Sequence, residues 1–197
     1  MKYMNLDNDP VNTISSEDDI SRLIYSDPWR MNVLAAAEKL NLPDWWIGAG
    51  FLRNLVWDAI EGVDPQVTRD VDLVYFDSEN TAAEIDWTYD EQLKASHPFA
   101  EWEVRNQARM HYKNNFAPYK STADGISNWV ETATCVAVKL EAGVLRYIFC
   151  YGTDDLFGLI ARPIAQFQSP TLISEFHKRV NEKRWQERWP RLKIEVT

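Results

Sequence analysis

Residues 45–60 read WWIGAGFLRNLVWDAI, and residues 70–76 read DVDLVYF. The first run predicts a short buried strand, a tight turn of small residues over 48–50, and then a helix with one apolar side. The second run predicts another strand, because its apolar residues are β-branched or aromatic and follow a loop. A strand, a small-residue turn, a helix and a strand that begins with two acids therefore follow one another along the chain.

The two acids of the second strand are Asp70 and Asp72. Side chains two positions apart on a strand point to the same face of a sheet. Two neighbouring negative charges raise each other's pKa and persist more readily beside a cation. Magnesium prefers carboxylate oxygens, and two metal ions about 3.5–4 Å apart can hold both oxygens of an in-line phosphoryl displacement. Asp70 and Asp72 are therefore candidate magnesium ligands, although a loop-end acid followed by a solvated acid gives the same pattern.

A third carboxylate is predicted in the strand that contains Trp102 and Val104, where Glu103 stands between these two apolar residues. An isolated acid in an apolar frame is a candidate to join the aspartates. Glu101 lies on the same face of this strand, so the choice between the two glutamates stays open.

The turn Gly48-Ala49-Gly50 follows a strand and begins a helix. Small residues there let backbone N–H groups and the helix N-terminus approach phosphate oxygens. Arg53 lies one turn into the helix and can add charge-assisted contacts to the same anion. The turn differs from the Rossmann dinucleotide pattern, because Arg53 stands where the third glycine belongs. An ordinary tight turn is the alternative.

A short polar segment follows the Glu103 strand and contains Arg105, Asn106, Gln107, Arg109 and His111. One interpretation is that it binds a triphosphate or base edges. The other is a polar network that anchors a helix to the sheet, and the sequence favours neither. Arg109 and His111 are the functional candidates, since a histidine can act as a general acid or base.

Helix signals occur at five further places, where a cap residue, a proline at the first helical position or a capping box precedes an apolar pattern. The predicted helices are 16–25, a helix from Asp27-Pro28 to Leu40, 88–96 with Thr88 as its cap, 122–129, and a helix from Ser169-Pro170 to about Trp185.

A β-hairpin is predicted over residues 134–150, with its two-residue turn at Ala142-Gly143. This register pairs Val136, Val138 and Leu140 with apolar residues of the second strand. It also places Lys139 opposite Arg146, a like-charge pair that argues weakly against the register.

These elements predict an α+β fold, with a mixed β-sheet covered by helices. We expect a single domain over residues 1–197, in which 1–15 are flexible and 170–197 form a C-terminal helical extension.

Composition narrows the class of protein. The chain has 197 residues, and 45% of them are hydrophobic, which suffices for a core without disulfides. Its net charge of −9 argues against a long nucleic-acid partner, because polynucleotide binders usually present a basic face. Two cysteines are too few for a zinc site. We expect a cytoplasmic protein, because the first residues lack a signal-peptide pattern and no apolar run reaches membrane-spanning length.

Residues 49–54 followed by Asp70-Val71-Asp72 resemble the signature of the DNA polymerase β-like nucleotidyltransferases. The pattern is similar to that of tRNA-terminal nucleotidyltransferases, with Ala49 in place of the first glycine and Asn54 in place of an aspartate. Residues 45–165 also resemble a family of small bacterial predicted nucleotidyltransferases of uncharacterised activity. The segments that carry this wider resemblance are 48–54, 57–58, 106–111, 118–119, 131–134, 151–152 and 155–157.

The resemblance implies a polymerase β-like nucleotidyltransferase core with Asp70, Asp72 and Glu103 as its catalytic carboxylates. We expect transfer of a nucleoside monophosphate from a nucleoside triphosphate (NTP) to a hydroxyl of an unknown small-molecule or protein acceptor, with two Mg²⁺ ions. A non-catalytic nucleotide-binding or protein-interaction module on the same fold is the alternative, and a phosphohydrolase that uses water as acceptor is a third reading. The residues expected to bind the nucleotide are Gly48, Ala49, Gly50, Arg53, Arg109 and His111.

Overall fold

The structure, a computed structural model, describes residues 14–65 and 69–196. A flexible start was expected over residues 1–15. Of these, residues 1–13 lie outside the described residues. The helices within these ranges are α1 (Glu17–Tyr25), α2 (Pro28–Lys39), α3 (Gly50–Glu61), α4 (Ala83–Ser96), α5 (Thr122–Ser127), α6 (Asp154–Phe157), α7 (Ile173–Lys183) and α8 (Trp185–Arg188). The strands are β1 (Trp46–Gly48), β2 (Asp70–Tyr75), β3 (Glu101–Asn106), β4 (Val136–Glu141), β5 (Val144–Phe149), β6 (Ile160–Ala161) and β7 (Lys193–Ile194). Short 3₁₀ helices cover Gln107–Asn114, Thr132–Thr134 and Ala165–Gln168.

Five of these strands form one mixed sheet in the order β3-β2-β1-β4-β5. Strands β2 and β3 are parallel and are joined by α4, whereas the other neighbouring pairs are antiparallel. Strands β6 and β7 form a separate parallel pair. The predicted α+β class with a mixed sheet covered by helices is confirmed.

One face of the sheet carries the main core. Alternate residues along β2, such as Val71 and Leu73, are fully buried there, and Ile47 of β1 lies opposite Leu73. Helices α2, α3 and α4 pack on this face over β4, β2 and β3 respectively. The period-2 alternation therefore sends the intervening residues of β2, which are Asp70, Asp72 and Val74, to the opposite face.

The opposite face is covered only in part, by a smaller apolar cluster around Val74, Ala137 and Phe167. This cluster lies beneath α5 and the loop that follows it. Because β2 begins at Asp70, the two acids lie beyond the cluster at the start of the strand, where the face is open.

The N-terminal helices follow their sequence signals. Ser16 and Asp19 form the predicted capping box, and Asp27 accepts a hydrogen bond from the Arg30 backbone N–H before Pro28 begins α2. The hairpin has the predicted register, and its turn residues both have positive φ. The like-charge pair of that register is neutralised, because Glu141 forms ion pairs with both Lys139 and Arg146.

Two predicted helix boundaries were wrong. Helix α4 begins at Ala83 rather than at Thr88, and the Thr88 hydroxyl donates to the Glu84 carbonyl within the helix instead of capping it. The extra turn brings Asp86 inward, where its carboxylate accepts the Asn106 backbone N–H. Helix α7 begins at Ile173 rather than at Ser169, since residues 169–172 form a turn.

The C-terminal segment 170–197, expected to be a helical extension, contains α7, α8 and also strand β7. It packs on α3 through a tryptophan cluster in which Trp185 and Trp189 both meet Trp57 edge-on, at centroid distances of 5.9 and 5.0 Å. Beneath this cluster the fully buried Asp58 carboxylate accepts hydrogen bonds from Arg188 and from the Trp189 indole. The segment is therefore an integral part of the core.

None of the helices within the described residues combines the length and apolarity needed to cross a membrane.

Candidate active site

Four carboxylates lie side by side on the open face of strands β2 and β3. The parallel register places Asp70 beside Glu101 and Asp72 beside Glu103. The strands alternate, so all four side chains leave the sheet on the same side as a block of negative charge. They line a cleft of about 1230 Å³, which we call the carboxylate cleft.

The surroundings of Asp72 shift its pKa. Its side chain is half-buried, and burial together with the neighbouring charges of Glu103 and Asp70 raises its pKa to about 6. Arg53 and Lys183 act in the opposite direction. Glu103 is also the glutamate that lies directly beside Asp72 in the sheet, which favours it over Glu101 as the third carboxylate.

The small-residue turn faces these acids from the end of β1. Ala49 and Gly50 line the carboxylate cleft, and α3 begins at Gly50 with backbone N–H groups that its own helix leaves unpaired. Gly48 has a different role. A Cβ at this position would lie 2.3 Å from the Trp129 ring, so Gly48 is needed for the packing of that ring against β1.

Ala49 has φ of 53° and ψ of −124°, a backbone conformation that favours glycine. A residue with a Cβ pays about 1–3 kcal/mol for such a conformation. We expect Ala49→Gly to raise the free energy of unfolding by about 1 kcal/mol, because the relief of strain exceeds the added entropy of the unfolded chain. The temperature of thermal unfolding should rise by roughly 2–4 °C.

The matched control is Ala59→Gly in the interior of the same helix. There the backbone is helical, and glycine should cost about 1 kcal/mol. If both substitutions lower the unfolding temperature, the turn is not strained.

Arg53 is held rigidly behind the turn. Its guanidinium lies over the rings of Trp57 and Trp185, 5.1 and 4.8 Å from their centroids. It donates to the Thr134 hydroxyl at 2.6 Å and to the Asn54 side-chain oxygen at 2.9 Å. Both of these partners are neutral, so they leave the charge of Arg53 uncompensated.

Arg53 remains a cation despite its burial. Its side chain is only 6% exposed, and burial lowers its pKa to about 10 while the charge of Glu131 opposes this shift. The Arg53 Nε–H has no hydrogen-bond partner within residues 14–65 and 69–196. A buried, charged and incompletely paired donor beside a cleft is suited to binding an anion.

Helix α7 adds cations that sequence reasoning missed. Arg179 and Lys183 line the carboxylate cleft, although the sequence predicted only a C-terminal helical extension in this part of the chain. Arg179 is held by the buried Glu131 carboxylate through bonds of 2.7 and 3.2 Å. Glu131 and Thr134 are the two ends of one segment of the family resemblance, so this segment positions both Arg179 and Arg53. That resemblance was the one signal that could have pointed to Arg179.

Arg109 lies away from the cleft. It forms an ion pair with Asp86, a fully buried residue of α4, and its charge is thereby neutralised. His111 is buried against Tyr112 and Tyr119 and does not line the cleft. The structure does not bring either residue to the carboxylates. Arg109 joins Asp86 and Asn106 in a polar network of the kind that the alternative interpretation describes, whereas the His111 Nδ1 has no hydrogen-bond partner within the described residues.

The carboxylates of the cleft offer only oxygen donors to a metal ion. Within the described parts of the chain, no group of three histidine, cysteine, aspartate or glutamate side chains is arranged to hold a metal ion. The oxygen donors nevertheless fit Mg²⁺ in chemistry, since a carboxylate such as Asp72, whose pKa is raised by burial and by the charges of Glu103 and Asp70, is stabilised by a hard cation.

Comparison with known proteins gives a consistent result. The profile of a family described as nucleotidyltransferase matches residues 35–194. An NMR structure described as a CCA-adding enzyme head domain superposes with a TM-score of 0.85 at 27% identity, covering 95% of this chain and all of that one. Comparison with curated proteins finds no match.

Two larger enzymes are similar to this chain in fold only, because their sequence identity is below 20%. A CCA-adding enzyme in complex with CTP gives a TM-score of 0.56 at 18% identity, covering 89% of this chain and 43% of that one. The Thermotoga maritima CCA-adding enzyme complexed with tRNA gives 0.56 at 16% identity, covering 90% of this chain and 42% of that one. The chain therefore spans less than half the length of these larger enzymes.

Proposed function

Since the chain belongs to the nucleotidyltransferase family and has the fold of a CCA-adding enzyme head domain, we propose that it transfers a nucleoside monophosphate from an NTP to a hydroxyl group. The observation that carries this proposal is the register of β2 and β3, which sets Asp70, Asp72 and Glu103 side by side opposite the helix N-terminus and Arg53. We place this enzyme in the cytosol.

The anionic phosphates of the NTP are expected to bind on the cationic side of the cleft. The N-terminus of α3 has no side-chain cap, and Ala49, Gly50 and Arg53 there all line the cleft. Lys183 extends this positive surface along α7, whereas Arg179 is already paired with the buried Glu131. The donor would then lie with its α-phosphate towards the carboxylates.

Asp70, Asp72 and Glu103 would hold two magnesium ions, which supply charge neutralisation to the transferring phosphoryl group. Glu103 would also accept the proton of the acceptor hydroxyl as its oxygen attacks the α-phosphorus. The bond from that phosphorus to the bridging oxygen breaks, and pyrophosphate leaves towards Arg53 and Lys183. Positioning and electrostatic stabilisation supply most of the catalysis in such a reaction.

The acceptor is proposed to be a small molecule or a protein rather than a long nucleic acid. The net charge of −9 and the acidic side of the cleft both disfavour a polyanion. A non-catalytic binding module remains the second candidate, because the turn carries a strained Ala49 in place of a glycine.

Thermal unfolding with each NTP, with and without magnesium, tests nucleotide binding. An NTP at a hundred times its dissociation constant stabilises the protein by about 2.7 kcal/mol, a shift of roughly 5–10 °C. We expect this shift only with magnesium, and product analysis should show a labelled acceptor rather than free monophosphate. Glu103→Gln should reduce transfer far more than the matched control Glu101→Gln, since Glu103 lies beside Asp72.

Three results would contradict parts of this proposal. No shift with any NTP would favour a protein-interaction module, and release of free monophosphate alone would favour a phosphohydrolase. A larger effect of Glu101→Gln would assign the third carboxylate to Glu101.

A further inference from the structure

A second cavity opens from the carboxylate cleft at Asp72, and we call it the side chamber. Its volume is about 290 Å³, close to the lower end of the range for small-molecule sites. It shares Ala49, Asp72, Glu103 and Arg179 with the cleft. A ligand in the side chamber would therefore lie beside Asp72 and Glu103, which also line the cleft.

One wall of the side chamber is a fixed aromatic surface. Trp129 lines the chamber, and its ring is wedged against the backbone at Gly48, where no side chain fits. Tyr119 and Phe167 add two further aromatic rings. Flat rings held in place are suited to stacking with a planar ligand, and such stacking costs little conformational entropy.

Side-chain amides with free hydrogen-bonding atoms also line the side chamber. The Asn128 amide nitrogen donates to the Asp124 carbonyl at 2.9 Å, and the Gln107 nitrogen donates to the Arg105 carbonyl at 3.3 Å. Their oxygens and the whole amide of Asn114 have no partner within the part of the chain that the structure describes. Amides can both donate and accept, which matches the edge of a heterocyclic base.

The cations of the side chamber are mostly committed to protein partners. Arg105 forms ion pairs with Asp90 and Glu103, and Arg179 with Glu131. The chamber is therefore less suited to a phosphate than the cleft is. Its aromatic and amide walls instead suit a neutral, planar and polar ring.

We propose that the side chamber is a nucleobase subsite, in which the ring stacks near Trp129 and its edge bonds to Asn114, Asn128 and Gln107. This inference rests on the proposed function, because that function brings a nucleotide to Asp72. The base belongs either to the donor NTP or to a nucleoside acceptor. The chemistry of recognition is the same for both sources.

Calorimetric titration in magnesium separates the two sources. The probes are inorganic tripolyphosphate, the four NTPs and the four nucleosides, the last with tripolyphosphate present. The test variant is Asn114→Ala, whose side chain has no partner to lose within residues 14–65 and 69–196. Asn181→Ala, on the exposed surface of α7 and outside both cavities, is the control.

If the donor base occupies the chamber, one NTP should bind wild type at least tenfold more tightly than tripolyphosphate. Asn114→Ala should then lose about tenfold in affinity for that NTP, the usual effect of one hydrogen bond, and keep its affinity for tripolyphosphate. If an acceptor base occupies the chamber, NTPs and tripolyphosphate should bind with the same affinity. A nucleoside should then bind wild type, and Asn114→Ala should lower the affinity for that nucleoside. Asn181→Ala should change neither affinity.

The inference is overturned if no base-containing probe binds more tightly than tripolyphosphate and Asn114→Ala changes no affinity. Failure of the proposed function gives a different result, in which tripolyphosphate does not bind wild type or binds Asp72→Asn equally well. In that case the nucleoside titrations alone still decide whether the chamber accepts a base.

Discussion

Asp72→Asn is expected to lower the rate of nucleotidyl transfer by a factor of about a thousand or more. The same substitution should make the ligand-free protein more stable at pH 7. The loss of activity follows because Asp72 lies at the junction of the cleft and the side chamber, beside both Asp70 and Glu103. The stability gain follows because the native protein holds an ionised carboxylate in a site that disfavours its charge.

The sign of the pH dependence can be worked out from the pKa of Asp72, which folding raises from about 3.8 to about 6. Between these values the native state binds more protons than the unfolded state, so wild type loses stability as the pH rises. Asparagine does not titrate. The advantage of Asp72→Asn should therefore be absent below about pH 4, grow up to about pH 6, and then stay constant.

The expected plateau is about 1–3 kcal/mol, discounted because the side chain is partly exposed to solvent. This corresponds to roughly 2–10 °C in thermal unfolding. Unfolding curves of the ligand-free protein from pH 4 to 8, measured beside transfer assays, check both parts. Asp64→Asn, an acid of the same cleft in a loop, is the control and should change neither quantity strongly. A marked loss of stability at pH 7 would show that Asp72 is a structural residue.

Asp58→Ala is expected to destabilise the protein by about 3–5 kcal/mol, the usual cost of removing one partner from a buried ion pair. The Asp58 carboxylate is fully buried and accepts Arg188 Nε at 2.9 Å and Trp189 Nε1 at 2.8 Å. Alanine would leave the Arg188 charge and the indole N–H without their partner. The temperature of thermal unfolding should fall by roughly 10 °C or more.

The control for Asp58→Ala is Glu182→Gln, which breaks an ion pair with Lys178 in which both side chains are more than half exposed. Pairs of this kind are worth about 0–1 kcal/mol. A similar small loss for Asp58→Ala would mean that α8 is not anchored by this carboxylate. Arg53, which packs against Trp185, should also lose its fixed position in Asp58→Ala, so nucleotide affinity should fall with stability.

Local patterns predicted the local structure well. The alternation of β2 placed both aspartates on one face, and the two-residue turn fixed the hairpin register, because both depend on neighbouring residues alone. The start of α4 was missed for a related reason. Thr88 and Glu91 resemble a capping box, but the burial of Asp86 against β3 extends the helix by more than a turn.

The cations that α7 adds to the site could not be predicted from local patterns, although the turn and Arg53 were. A helix with Arg179 and Lys183 on one side has the same sequence pattern whether that side faces water or a cleft. Its position is set by the contacts of Trp185 and Trp189 with Trp57, more than a hundred residues away in the chain. For Arg109 the sequence left two interpretations, and only the buried position of Asp86 distinguishes them.

The distance along the chain between the two sides of the cleft has a consequence for the order of events during synthesis. The acidic strands and the turn emerge from the ribosome well before α7 and α8, because the chain is synthesised from its N-terminus. Contacts between distant segments also form slowly, because a long loop must close. A nascent chain would thus carry its carboxylates and Arg53 before Lys183 and Arg179 of α7 are in place. We expect the capacity to hold a triphosphate to appear late, as a product of the final docking of the C-terminal segment.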